Sequence, residues 1–388
     1  MWSLSEIIPQ IFVYLPLAYN GTLSIFRYSS SEADNIAEMV NDLAHSILLS
    51  YVSGRLIRQE SFNIAIVTLG VSYYHALKLY RKHVQGKVNV HENLRDKTYI
   101  ITGSNTGIGF EVAKFLLKMN ARVVLACRSV DRANEAKKAL IKSTDANEKD
   151  VIVIPLDLTD LDSVKKFVKA FNDLKIPLHG LVNNAGLISD KRTLTKDGVE
   201  LTFASNHLGH FLLTNLLIPD LTKTNGRIIN LSSCLFKLTK TFNFEDLTFA
   251  DNYEGFKVYS QSKLSNILFT RGLASRLEEK KIPITAYAVH PGCVRTEFTR
   301  GLSWWMQLGN QLVAPILSLL QKTPAQGAYG IVEVLINPAI KDKNPNGTYF
   351  FHGEKAPLTE AAINEEYTKE LWKISEKMTG FTWKEKSQ

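Results

Sequence analysis

Cysteine is scarce in this chain, with three among 388 residues. Cys127, Cys234 and Cys293 stand far apart and are odd in number, which argues against a disulfide framework and against a Cys-based zinc site. Each reads as a small buried hydrophobe or a pocket-lining residue. His207 and His210 lie about one helical turn apart, but no acidic ligand accompanies them, so no metal site is expected. Charge of one sign does not accumulate either. The net charge is +8, yet Lys and Arg are dispersed among acids. No basic patch with interleaved aromatics marks a nucleic-acid surface, and no nucleic-acid partner is expected. No Lys or Arg precedes the apolar stretch Ile7–Tyr19, which carries Pro9 and Pro16, so a secretory signal peptide fits poorly. Phe62–Leu77 runs without a charged residue, but falls slightly short of the about 20 residues that a spanning helix needs.

A hydrophobic share of 45% and this length fit one large α/β domain plus an extension. The extension is residues 1–92. Within it Ser31–Ser53 reads as an amphipathic helix, with Ile36, Met39, Val40, Leu43, Ile47, Leu48 and Tyr51 at helical spacing. Ser31 with Asp34 resembles a capping box at its start. Lys78, Arg81, Lys82 and Lys87 follow Phe62–Leu77 with no acid among them. That run is expected to associate with a membrane, either spanning it while its basic flank snorkels or lying at the interface. A basic C-terminal flank then places the following domain in the cytoplasm. The other reading is a helix packed on the core of its own domain in a cytoplasmic protein.

Beyond residue 92 the chain carries chemistry. Tyr259 and Lys263 stand at i and i+4 in a helix-compatible segment, one above the other on one face. A cation there favours the phenolate, which is expected to lower the tyrosine pKa and let the residue exchange a proton near neutral pH. Thr102–Gly109, TGSNTGIG, follows the strand-like Lys97–Ile101 and precedes an apolar helical face on Val112, Ala113, Phe115, Leu116 and Leu117. Strand, glycine turn and helix make a dinucleotide fingerprint, with the helix N-terminus offering free N–H groups to a pyrophosphate. Its spacing is Gly-x-x-x-Gly-x-Gly rather than the Gly-x-Gly-x-x-Gly of longer dehydrogenases. Asn183–Gly186, NNAG, follows the strand-like Leu181–Val182. Arg227–Leu231 is another strand, ending in Ser232 and Ser233. Arg122–Ala126 and Val151–Leu156 read as further strands, and Ile284–Val289 leads into His290–Pro291–Gly292.

Taken in order, TGSNTGIG at 102–109, NNAG at 183–186, the strand ending in Ser233, YSQSK at 259–263 and HPG at 290–292 resemble the short-chain dehydrogenase/reductase family. The likeness runs from about Leu94 to near the C-terminus. It implies a Rossmann-type α/β domain over residues 93–388, a doubly wound parallel sheet with helices on both faces, preceded by the mostly helical extension. It also implies a tetrad of Asn206, Ser233, Tyr259 and Lys263. In it Tyr259 handles the substrate oxygen's proton, Ser233 hydrogen-bonds that oxygen, Lys263 binds the nicotinamide ribose, and Asn206 holds a proton-relay water. The local reading of Asn206 alone is a helix kink or a core hydrogen bond. No base is placed to make Ser233 a nucleophile.

The resemblance assigns dinucleotide contacts to Gly103, Ser104, Asn105, Thr106, Gly107, Ile108 and Gly109, to Asp157 and Leu158 after the third strand, and to Asn183, Ala185 and Gly186. It assigns others to Tyr259, Lys263, Pro291, Gly292, Val294 and Thr296. NAD-selective members carry an acid at the end of the second strand. Here Cys127 occupies that position and Arg128 follows, so NADP is expected over NAD. The apolar stretch from Trp304 to Leu320 is expected to cover the substrate and to favour a lipophilic one. ACRS at 126–129, NHLGHFLLTNLL at 206–217, FEDL at 244–247 and LWKISEKMTG at 371–380 bring the chain nearest the retinol dehydrogenases, the WW-domain oxidoreductase and the X-linked dehydrogenase/reductase. The expected reaction interconverts a lipophilic alcohol and its aldehyde or ketone, at an endoplasmic reticulum or other organelle membrane. A homodimer through the helices near 206–217 and 259–277 is compatible with it. The competing reading is a membrane-tethered, cofactor-binding interaction protein with little turnover.

Overall fold

The computed structural model describes residues 92–250, 253–294 and 321–383. The N-terminal segments discussed above, Thr296, Trp304 and the apolar stretch to Leu320 lie outside the described residues. Among the described residues, no helix is long and apolar enough to cross a membrane.

Short β-branched and apolar runs build a single sheet. Its strands are β1 (Thr98–Thr102), β2 (Arg122–Cys127), β3 (Val151–Pro155), β4 (Gly180–Asn183), β5 (Arg227–Leu231), β6 (Thr285–His290), β7 (Tyr349–Phe351) and β8 (Glu354–Lys355). Their order is β3-β2-β1-β4-β5-β6-β7-β8. Every pairing is parallel except β7 with β8. A parallel sheet is covered on both faces, which is why its central strands read as continuous apolar runs rather than alternating ones.

Alternate residues serve opposite faces. Tyr99, Ile101, Val123 and Leu125 join a core with α1 (Gly107–Lys118), α2 (Val130–Thr144) and, after β6, the helix Pro324–Ile336. Ile100, Val124 and Ala126 join the other core with α3 (Leu161–Asp173), α4 (Gly209–Thr222) and α5 (Gly255–Glu279). Continuing the numbering, Pro324–Ile336 is α6 and Glu365–Thr379 is α7. The doubly wound architecture read from sequence is therefore the one observed. The chain winds outward from β1 through β2 to β3, then returns to β4 and winds the other way. Between β1 and β4 the direction reverses, and the carboxyl ends of those strands open the crevice where such folds bind ligands.

Candidate active site

The crevice is built from strand ends. After β1 the backbone turns at Gly103, with φ of 64°, a left-handed conformation that glycine adopts without strain. Gly109 lies so close to the turn that an added Cβ would fall 2.5 Å from Asn184 Nδ2 and 2.7 Å from the Gly103 oxygen. Most of the longer helices are closed at the start by a side chain. Ser129 caps α2, Asp160 caps α3, and Thr323 with Gln326 forms a full capping box on α6. The N-cap side chain of α1, Thr106, makes no such bond. The positive end of α1 faces the turn.

Thr102 and Asn184, which belong to the TGSNTGIG and NNAG motifs, tie this loop to β4 by bonds that the sequence alone did not show. The Thr102 hydroxyl accepts the N–H groups of Asn184 and Ala185, each at 2.9 Å. Asn184 Nδ2 donates to the Thr102 carbonyl at 2.7 Å. His210 Nδ1 lies 3.1 Å from the Asn206 carbonyl, which only accepts, so Nδ1 carries the proton and Nε2 faces the Thr102 hydroxyl at 2.9 Å. His210 thus braces the loop as a neutral ring, held there by burial that lowers its pKa to about 3. His207 is equally buried, among Phe203, Phe211 and Phe269. No group of His, Cys, Asp and Glu able to hold a metal occurs among the described residues.

Asn206 sits in a π-helical turn, Ala204–Leu208, that leads into α4. Such a bulge reorients side chains within a helix and is common at functional sites. Asn206 Oδ1 accepts the Leu187 N–H at 2.9 Å, while Nδ2 donates to the Leu187 carbonyl and to Ser262 Oγ, both at 3.0 Å. A Cβ placed on Gly186 would lie 3.3 Å from both Asn206 Oδ1 and Lys263 Nζ, so these two side chains meet over Gly186. Ser233 ends the segment after β5 and is hydrogen-bonded to the Tyr259 phenol. Ser232 instead donates to the Lys263 carbonyl at 2.9 Å. Lys263 Nζ donates to the Leu231 carbonyl at 3.2 Å and stands 5.5 Å from the centre of the Tyr259 ring. Residues from four separate segments thus converge at the carboxyl edge of the sheet.

The electrostatics differ from the simple expectation. Lys263 does not pull the Tyr259 pKa down here. Burial pushes the phenol above its ordinary value, and the Ser233 hydrogen bond offsets that only in part. Burial also lowers Lys263 to about 8. The reason is that desolvation by packed neighbours outweighs one cation across the ring.

The remaining candidates are less uniform. Asn183 spends its amide inside the sheet, donating to Thr214 Oγ1 and Asn230 Oδ1, each at 2.7 Å. Asp157 accepts from the Thr159 N–H and hydroxyl, and Leu158 is buried. Arg128 is exposed after β2 and forms no ion pair among the described residues. Pro291 and Gly292 are buried in the turn after β6, with Val294 half-buried beside it. Cys127 is buried as expected, but Cys234 and Cys293 are exposed. Each of these two follows a strand end rather than lying in one, so the sheet does not cover it.

The family model for short chain dehydrogenases matches residues 97–307. The chain belongs to the short-chain dehydrogenase family. Retinol dehydrogenase 14 of Mus musculus is 38% identical over 300 residues, covering 74% of this chain and 87% of that protein. Retinol dehydrogenase 12 of Mus musculus is 36% identical over 317 residues, covering 81% and 96%. Short-chain dehydrogenase TIC 32 A, chloroplastic, of Brassica napus is 35% identical over 289 residues, covering 72% and 88%. Among solved structures, an uncharacterized protein from Mycobacterium Paratuberculosis superposes with a TM-score of 0.60 at 28% identity, covering 76% of this chain and 98% of its own. The family is one of oxidoreductases using a nicotinamide cofactor, and the residues present fit one. The left-handed turn at Gly103, the close backbone approach at Gly109 and the positive N-terminal end of α1 make a cradle suited to a dinucleotide.

Proposed function

We propose that this chain is an NADP(H)-dependent oxidoreductase that interconverts a lipophilic alcohol with its aldehyde or ketone, of retinoid, steroid or isoprenoid type. The observation that carries the reading is the Ser233–Tyr259 hydrogen bond at the sheet's carboxyl edge, with Lys263 beside it. The bound nicotinamide supplies or accepts the hydride. Tyr259 then exchanges a proton with the substrate oxygen, and Ser233 holds that oxygen by its hydroxyl. A buried phenol whose pKa is raised stays protonated at neutral pH, ready to donate as negative charge grows on a carbonyl oxygen. Lys263 holds the ribose and a positive charge next to that oxygen, and Asn206 steadies the path from Lys263 to water. The glycine loop Gly103–Gly109, with Asp157, Leu158, Ala185, Gly186, Pro291, Gly292, Val294 and Thr296, holds the dinucleotide. Asn183 serves it through the sheet.

The lipophilic preference is supported by the similarity to mouse retinol dehydrogenases 14 and 12 and by the apolar sequence from Trp304 to Leu320. Apolar area buried there is worth roughly 25 cal/mol per Å2, while an unpaired substrate hydroxyl costs about 1–3 kcal/mol. Residues 1–92 hold the enzyme at a membrane through Phe62–Leu77 and its basic flank. Recovery of the full chain in the soluble fraction of expressing cells would end that part of the proposal. The substrate reading is tested by kcat/KM with NADPH across retinal, a steroid ketone, an isoprenoid aldehyde and aldehydes of increasing chain length. Rising values with apolar length are expected. Preference for a sugar or a short polar carbonyl would contradict it.

A further inference from the structure

Lys322 is buried, with 5% of its surface exposed, and it forms no ion pair among the described residues. Its Nζ lies 2.5 Å from His352 Nδ1, just past the end of β7. The Lys322 N–H donates to the Cys293 carbonyl at 2.7 Å, and Lys322 pairs with Val294 in a parallel bridge. The lysine therefore grips the segment after β6 by its backbone and the end of β7 by its side chain. Between these holds lies Gly292, at φ of 94°, where an added Cβ would fall 2.9 Å from His352 Cε1 and 3.2 Å from Lys322 Cδ and Cε. The lysine stem and the imidazole thus pack directly on the turn. At the turn's start, His290 Nδ1 accepts the Gly292 N–H at 3.4 Å, and its ring stacks on Phe351 at 5.0 Å and 7°. Thr323, the next residue, fixes the start of α6 by its capping box.

This turn borders the crevice. A Cβ on Gly327 of α6 would meet Val294 at 2.6 Å and Ile108 of the glycine loop at 3.5 Å. His290 feels the charges of Lys263, Lys237 and Lys322. Paired with an imidazole rather than a carboxylate, the buried Lys322 ammonium leaves positive charge beside the turn that an anion would offset. We propose that Lys322, held by His352, is a positioning residue for the dinucleotide, locking the His290–Pro291–Gly292 turn against the nicotinamide side of the crevice. The inference rests on the functional reading above.

The test uses the full chain and reduced dinucleotide, NADPH and NADH, as probes. Lys322→Met keeps the stem and removes the charge. Its dinucleotide-free form is expected to melt at or above the wild-type temperature, because the buried charge is gone. Its dissociation constant for the dinucleotide, read by fluorescence titration, is expected to rise about tenfold, within the roughly 5–150-fold range of coupling between a site and a residue that acts on it indirectly. The KM for dinucleotide follows, while the KM for the carbonyl substrate stays near wild type. His352→Asn keeps an acceptor and suits the left-handed backbone at this position, φ 56°, so it is expected to retain most of the affinity. Wild-type affinity in Lys322→Met would overturn the proposal. So would a lowered melting temperature with all kinetic constants falling together, which marks a merely structural residue. A wild-type chain that binds neither dinucleotide would overturn the functional reading itself, and this inference with it.

Discussion

Arg128 follows Cys127, which ends β2 at the position where NAD-selective members carry a carboxylate, and it is exposed and without an ion pair among the described residues. A guanidinium free to form a bidentate pair is suited to a 2′-phosphate. Arg128→Asp is expected to weaken NADPH much more than NADH in parallel binding titrations, and equal losses would remove it from cofactor choice. At this scale the pattern of Tyr259 and Lys263 was legible, because i and i+4 are neighbours on any helix. The direction of the Tyr259 pKa was not, because burial comes from segments distant in sequence. The contact between Thr102 and Asn184 stayed hidden for a similar reason. The two are 82 positions apart, and only the pairing of β1 with β4 brings them together. Lys322 and His352, 30 positions apart, carry no local signature either.

Helices and strands were legible where their own periodicity sufficed. β1, β2 and β5 fell within a residue or so of the expected runs, since strands buried on both faces are short apolar stretches bounded by polar turns. The π-helical turn at Asn206 was not, because an extra residue in a helix leaves no trace in apolar spacing. α7 depends on tertiary contact more than on its own pattern. Trp372 stacks edge-on against Phe211 at 5.0 Å, lies 5.8 Å from Phe269, and carries the Arg276 guanidinium at 3.8 Å from its ring. These contacts pin α7 to α4, which continues from the π-helical turn bearing Asn206, and to α5, which carries Tyr259. Trp372→Ala is expected to cost about 3–5 kcal/mol by denaturant unfolding. A loss below about 1 kcal/mol would show that α7 is not part of the cooperative core.

At the scale of the molecule, buried histidines make stability fall in acid. Burial lowers His207, His210 and His290 to about 3, well below their unfolded value. Between about pH 6.5 and pH 3 the unfolded chain binds protons that the native chain does not, so stability falls as pH falls through that window. Thermal melting of the dinucleotide-free protein is expected to drop steadily from pH 7 to pH 4. His207→Phe, which matches its aromatic surroundings, should make that drop shallower; an unchanged slope would contradict the assignment. The doubly wound order was legible through the ordered motifs that resemble the short-chain dehydrogenase/reductase family, which implies such a sheet.

The central claim is that Tyr259 moves the proton while the dinucleotide is held by other residues. It is tested most directly by titrating NADPH into purified Tyr259→Phe and measuring turnover of a long apolar aldehyde in the same preparation. The account predicts near wild-type dinucleotide affinity with turnover lower by about 10²–10⁴-fold or more. Turnover close to wild type would contradict it.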